Sequence, residues 1–293
     1  MSESRTIFEE LIARYPEARK TTLREMLSSG RVLINGVTAK SLKHPVGEND
    51  KLEVVDPTEA AAGGAKARTA TLSGGLKMVF FDNHIIIVEK PAGLLTSTDP
   101  SEKRPTTLRL LNEYFQRQNS KNQVHLIHRL DRDASGLLVF ARSSDAYQSL
   151  KAQFFEHTIT RRYDVIVHGL PKERSGRLEN LLLEDPQTGI VRVIQDVKKG
   201  KLAILDYEVA GRDRFKKFAH LRCTLFTGRK HQIRVQLKAL GHAVCGDPVY
   251  GRGDEPPGRL ALHASHLSFV HPGTKRKATF DSPMPSGLAH MVR

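Results

Sequence analysis

The sequence predicts an α+β protein. A large domain over residues 77–293, with a mostly antiparallel mixed sheet, follows a small α/β domain at 1–56 and a flexible linker at 57–76. Three observations carry this. Runs rich in β-branched and aromatic residues recur along the second part of the chain with only a few helical patterns between them, which argues against regular βαβ alternation. No G-x-G-x-x-G follows a predicted strand, so a dinucleotide-binding sheet is excluded. The stretch "DPTEAAAGGAKARTATLSGG" (56–75) is rich in Ala, Gly, Ser and Thr and nearly free of large apolar residues, the composition of a linker.

Taken in order, "TIFEELIARY" has helical apolar spacing at Ile7, Leu11 and Ile12, and "ARKTTLREMLSSG" repeats it with Leu23, Met26 and Leu27 before a stop at Gly30. In "RVLINGVTA", Asn35-Gly36 between two short β-rich runs signals a hairpin, and "DKLEVV" reads as a closing strand. Beyond the linker, "MVFFDNHIIIVEKPAGLLT" gives two strands about Asp82-Asn83 that end at Pro91 and Gly93, and "TTLRLLNEYFQRQN" is a helix. "GLLVFAR", "RRYDVIVHG", "GIVRVIQ", "AILDYEVA" and "AHLRCTLF" are strands, with helices near 145–157 and 230–240.

The chain has 293 residues, 46 Lys+Arg against 32 Asp+Glu, and a net charge of +14, which favours a polyanionic partner, most simply nucleic acid. Two cysteines, Cys223 and Cys245, are too few for a disulfide framework or a cysteine-based zinc site and fit a reducing, cytoplasmic setting. No signal core and no long apolar run is found, so no membrane partner is expected. Aromatic residues make up 6% and Trp is absent, which weakens the case for a broad base-stacking platform.

The chemistry gathers in three stretches. In "HRLDRDASGLLVFAR" (128–142), His128, Arg129, Asp131 and Arg132 sit on the lead-in to an apolar strand, a common placement for reactive groups. Neighbouring positive charge favours the ionised carboxylate, which suits a nucleophile better than a general acid. A structural ion-pair network at a strand start explains the same residues equally well. A metal set of His125, His128 and Asp131 needs a helix that the following β-rich run disfavours, and His263 with His266 is a thin second; no metal and no cofactor are expected. In "FTGRKHQIRVQLKALGHAVCGDPVYG" (226–251), Arg229, Lys230, His231 and Arg234 stand at a helix start, against the helix dipole. That cost is explained by an anion or a carboxylate opposite them, or the charges are simply solvated. In "TRRYDVIVHG" (160–169), Tyr163 begins a strand after two arginines, where a half-buried structural tyrosine is the usual case.

Together these stretches resemble the RluA-like pseudouridine synthases. The first is similar to the family's catalytic motif and "RRYDVIVHG" to its tyrosine motif. "TGRKHQIRVQLKALGHAVCGDPVYG" and "RLALHASHLSFVHP" resemble its third motif and C-terminal signature, and "IIIVEKPAGLL" its Lys-Pro-x-Gly opening. The resemblance spans about residues 77–285. It implies that Asp131 is the catalytic aspartate, Arg234 its partner and Tyr163 the active-site tyrosine, with Arg129 filling the base stack when the uridine leaves it. His128, Arg229 and His231 complete the expected substrate contacts. Ala134 replaces the usual threonine and Gln236 a common histidine, with altered substrate contacts expected from the latter. The implied reaction detaches uracil from ribose, rotates it and rejoins it through carbon 5, with Asp131 attacking or assisting departure of the base. It needs no cofactor.

Roughly residues 5–56 resemble an S-four-type RNA-binding domain through "SGRVLINGVTAK" and "GENDKLEV", although the family's usual Arg-Leu-Asp is not visible. Arg19, Lys20, Arg24 and Arg31 are its expected RNA contacts. The implied partner is structured RNA, ribosomal ahead of transfer RNA, bound by a monomer. A non-catalytic RNA-binding or ribosome-assembly factor on the same fold is the alternative.

Overall fold

The computed structural model describes residues 5–28, 30–35, 37–39, 41–47, 50–54, 70–98, 104–117, 123–251 and 257–292. The chain divides into two compact units: residues 1–69 with 80–83, and 70–79 with 84–293.

In the first unit, α1 (Ile7–Arg14) and α2 (Lys20–Ser28) accompany a three-stranded antiparallel sheet of β1 (Val32–Ile34), β2 (Val37–Thr38) and β3 (Leu52–Val54), ordered β2-β1-β3. Thr6 and Glu9 form a reciprocal capping box that fixes the start of α1. The sequence spacing then places Ile7, Leu11 and Leu23 in one buried cluster with Val32. The hairpin residue Asn35 adopts a left-handed φ of 50° and its partner Gly36 lies outside the described residues. Asn35 is held from two sides: its Nδ2 donates to Asp50 (2.7 Å) and its Oδ1 accepts the Lys51 N–H (2.9 Å). Asp50 also accepts the Gly47 N–H, so the "ING" and "G-x-x-D" segments close one turn system.

The second unit is built on a twelve-stranded mixed sheet. Its strands are β4 (Ala70–Thr71), β5 (Lys77–Phe81), β6 (Ile85–Lys90), β7 (His125–Leu126), β8 (Ser135–Ala141), β9 (Thr160–His168), β10 (Ser175–Glu184), β11 (Val191–Ile194), β12 (Lys201–Arg212), β13 (Phe218–Leu225), β14 (Leu262–Val270) and β15 (Lys277–Asp281). The order is β11-β10-β12-β13-β9-β14-β8-β6-β5-β4, with β15 on β14 and β7 on β8. β14 and β8 pair in parallel, and the other registered pairs are antiparallel. The helices are α3 (Thr107–Gln116), α4 (Ser144–Phe155), α5 (Gln232–Ala239) and the short α6 (Ser286–Ala289). No helix of the described residues is long and apolar enough to cross a membrane.

Two sequence expectations need revision here. Of the proposed linker, 57–69 lie outside the described residues, whereas 70–76 are ordered into the sheet. β4 pairs with β5, Leu72 N–H bonds Leu76 C=O, and the Leu76 side chain is fully buried; one apolar residue after a Gly-Gly turn is enough to anchor the segment. β10, β14 and β15 are not among the predicted strands. Along most of its length β10 alternates exposed and half-buried positions, and it is held by pairing with β12 over Ser175–Leu182.

β8 is buried along its whole length, which is what "GLLVFA" dictates. Its second residue, Gly136, has φ 112°, and a Cβ there would collide with the backbone of Ala264. This close approach of the parallel neighbour β14 to β8 is what glycine allows, and it fixes where the loop before β8 emerges.

Candidate active site

The loop before β8 is clamped from both sides of Asp131. The Thr96 hydroxyl accepts the Leu130 N–H (3.1 Å) and donates to the Leu130 C=O (2.8 Å). The Arg132 C=O accepts the Gly93 N–H (2.9 Å) and the Lys90 ammonium (2.8 Å). Lys90 is completely buried at the end of β6 and donates also to the Pro91 and Leu94 carbonyls. Burial pushes its pKa down to about 7, against the pull of Asp133 and Asp131. The "KPAGLLT" segment is therefore a brace for the backbone that carries Asp131, a role its sequence motif alone does not reveal.

Arg234, the third residue of α5, reaches Asp131: Nη1 donates to Oδ2 at 2.9 Å. The same guanidinium is gripped on its other edge by Asp247, with Nε to Oδ2 at 2.7 Å and Nη2 to Oδ1 at 2.8 Å. The Asp247 side chain is 0% exposed, that of Arg234 6% and that of Asp131 23%, so the carboxylate facing the cleft is the more accessible one. Burial alone would lower the pKa of Arg234, but hydrogen bonds and charges from Asp247 and Asp131 raise it above its ordinary value. For Asp247, burial is outweighed by the Arg234 bond and by the N–H groups of Tyr250 and Val249, leaving its carboxyl below the usual range. The positive charge at the start of α5 thus meets two carboxylates.

Asp247 is missed by sequence reasoning. The available signal is the Gly-Asp-Pro turn in "GDPVYG", where an aspartate bonds the backbone two and three residues on. Tyr250, in the same turn, lies under the Arg234 guanidinium (5.0 Å to the ring centre), accepts the Val191 N–H (2.9 Å) and bonds His231 Nδ1 (2.9 Å). His231 caps α5 in a left-handed conformation (φ 53°), and burial lowers its pKa against the influence of Asp131.

Asp131, Arg234 and His231 open onto a cleft of about 1060 Å³. Asp131, Arg234, Tyr163, His128, Arg129, Arg229 and His231 all line it, so the structure brings together every residue expected in the catalytic and substrate groups. Tyr163, on β9, is 5% exposed, and its hydroxyl makes no hydrogen bond among the described residues. Burial, countered by Arg161, raises its pKa, so the phenol keeps its proton at neutral pH.

Arg129 is exposed, and among the described residues it has no ion-pair partner. His128 is a loop anchor: Nε2 accepts the Val139 N–H (3.2 Å), and its ring tilts against Phe154 (4.8 Å). Burial and nearby Arg161 push its pKa down to about 3, so it is neutral. Arg229 spends its Nε–H on the Leu202 C=O (2.9 Å). Arg132 and Asp133 form a local pair (2.9 Å).

Gln236 does not meet its expectation of altered substrate contacts. It is buried, and its Nε2 donates to Leu178 C=O, Asn180 Oδ1 and Ala203 C=O, which seats α5 on β10 and β12. In the first unit, Arg19, Lys20 and Arg24 are exposed along the start of α2 and Arg31 is half-buried before β1. Among the described residues no group of three or more His, Cys, Asp or Glu is placed to hold a metal ion.

Residues 84–239, which contain the loop, β9 and the whole of α5, match the family described as RNA pseudouridylate synthase. The chain belongs to this family. It is an RNA pseudouridine synthase, an isomerase. The synthase is 34% identical over 226 residues to "Ribosomal large subunit pseudouridine synthase D" of Zymomonas mobilis, covering 73% of this chain and 70% of that one. It is 30% identical to the "Uncharacterized RNA pseudouridine synthase YlyB" of Bacillus subtilis, covering 93% and 88%. The fold of the synthase is that of "Human RNA Pseudouridylate Synthase Domain Containing 4", with a TM-score of 0.59 at 20% identity over 73% of this chain and 90% of that chain.

Proposed function

We propose that this synthase isomerises uridines in ribosomal RNA, with Asp131 as the reactive carboxylate, Arg234 as its fixed counter-charge and Tyr163 as the side chain facing the base. The observation that carries the reading is the 2.9 Å bond from Arg234 to Asp131 on the wall of a cleft that Tyr163 also lines.

In the isomerisation the N1–C1′ bond breaks and a C5–C1′ bond forms; the proton on C5 leaves and N1 gains one. No electrons are exchanged with a donor or acceptor. Asp131 acts at the ribose as a carboxylate. Arg234 holds it in place, and Arg234 is in turn immobilised by Asp247, so little reorganisation is needed when charge develops. The detached uracil must turn without escaping. The Tyr163 ring supplies an apolar surface for it, and the protonated hydroxyl a hydrogen-bond donor. A uridine inside a helix or stack must first be flipped out, at a cost of a few kcal/mol. The exposed Arg129 at the cleft is suited to fill the space it leaves.

The ribosomal assignment is supported by the net charge of +14 and by the large-subunit substrate in the names of similar proteins. We read residues 1–56 as an S-four-type RNA-binding domain, with Arg19, Lys20, Arg24 and Arg31 on phosphates, joined to the catalytic domain through 57–69. The test is to map pseudouridines in total RNA from cells carrying the wild-type chain or Asp131→Asn. Sites in large-subunit ribosomal RNA should vanish in the variant. Loss confined to transfer RNA overturns the ribosomal assignment, and an unchanged map overturns the role of Asp131.

A further inference from the structure

One wall of the cleft is a helix face that the catalytic groups do not use. Tyr147, Lys151, Phe154 and Phe155 of α4 all line the cleft. Their spacing of i, i+4, i+7 and i+8 puts them on one side of a helix turning about 100° per residue, while Ala146 and Leu150 face the core. Three of these four side chains are aromatic, a small local platform rather than a broad one.

The four side chains are not equivalent. Phe154 is already covered, by the His128 ring at 4.8 Å and the Arg161 guanidinium at 5.2 Å. Tyr147 lies beside His125 (5.7 Å) and under Lys151 (5.3 Å). Phe155 is 87% exposed, and among the described residues it has no ring or cation on either face. Lys151 is exposed and has no acidic partner there. An aromatic side chain offers ~150–250 Å² of surface for burial, and leaving it in water forgoes that gain. The cleft, at about 1060 Å³, slightly exceeds the roughly 300–1,000 Å³ typical of small-molecule pockets.

We propose that Phe155, with Lys151 beside it, is a stacking subsite for the nucleotide next to the target uridine. The base lies on the Phe155 ring and its phosphate pairs with Lys151. This rests on the reading of the cleft as the RNA site. Stacking on an aromatic ring accepts every base, so the subsite contributes affinity and registers the strand without dictating sequence.

The test uses the full chain and single-stranded RNA hexamers with one uridine, flanked on one side or the other by 2-aminopurine. Binding should quench the fluorescence of one of the two probes. Phe155→Ala should abolish the quench and weaken binding about fivefold or more, the scale of one missing base–aromatic stack. Phe155→Trp should keep both. Because the side chain is exposed, the alanine variant should retain wild-type thermal stability. Two results overturn the proposal: no quench of either probe by the wild type, or Phe155→Ala matching the wild type in quench and affinity. Asp131→Asn should keep the quench while losing turnover. Retained turnover there counts against the catalytic assignment alone, so the two failures are distinguishable.

Discussion

Replacing Asp247 by asparagine isolates what the second carboxylate does for the first. Asp247 Oδ1 accepts from Arg234 Nη2 and from the Val249 and Tyr250 N–H groups, and Oδ2 accepts from Arg234 Nε. Asparagine can keep the first oxygen and the turn it organises. Its amide nitrogen would then face the Arg234 Nε–H, donor against donor, and one negative charge is removed. Arg234, 6% exposed, would be left with Asp131 as its one carboxylate partner among the described residues. Breaking one side of a buried ion pair costs about 3–5 kcal/mol. For a domain of this size each kcal/mol moves Tm by ~2–4 °C, so a fall of roughly 6–20 °C is expected. The guanidinium is also freed to follow Asp131, so the carboxylate loses its fixed position. Turnover should fall at least about tenfold, equivalent to ~1.4 kcal/mol in the barrier. RNA affinity should change little, because Asp247 has no exposed surface with which to touch RNA. Calorimetry and single-turnover release of tritium from uracil carbon 5 read the two effects. A variant with wild-type Tm and wild-type turnover would refute the positioning argument.

Two further outcomes follow from the same geometry. His128 has a folded pKa near 3 against an ordinary value of about 6.5. Between these values the unfolded chain binds a proton that the folded chain refuses, so stability falls as pH drops through that window, by up to about 1.4 kcal/mol per pH unit. His128→Gln, which can still accept the Val139 N–H, should flatten this acid limb in urea titrations run from pH 7 to pH 4; an unchanged limb places the proton uptake elsewhere. In the first unit, the triple charge reversal Arg19→Glu, Lys20→Glu and Arg24→Glu should weaken RNA binding and reduce its salt slope by about 2–3, at ~0.7–0.9 for each phosphate no longer neutralised. The same slope in wild type and variant would remove α2 from the RNA surface.

Local pattern carries much of the architecture. The four consecutive apolar residues Leu137–Phe140 suit a buried strand, and the spacing of Ile7 and Leu11 announces α1 before any packing is known. β10 escapes because its Ser-Gly start and adjacent Glu179-Asn180 break the period-2 pattern, and partner strands rather than its own hydrophobicity hold it in place. The parallel pairing of β8 with β14 joins residues more than a hundred positions apart, and no local signal encodes that. The site divides in the same way. Asp131 and Arg234, 103 residues apart, are paired in the sequence only through resemblance, and the structure makes the bond. Asp247 hides in a turn whose glycine and proline explain themselves, and Lys90 in a motif whose use is to bind three backbone carbonyls. Gln236 looks like a substrate contact because it replaces a histidine common in the family, two residues after Arg234. On a helix that spacing points it about 200° away, into the sheet.

The most direct test of the account is tritium release from ribosomal RNA transcribed with uridine labelled at carbon 5, comparing purified wild type with Asp131→Asn. The wild type should release tritium, and the variant should release none while binding the RNA with affinity close to wild type. Substantial release by Asp131→Asn would contradict the assignment of Asp131 as the reactive group.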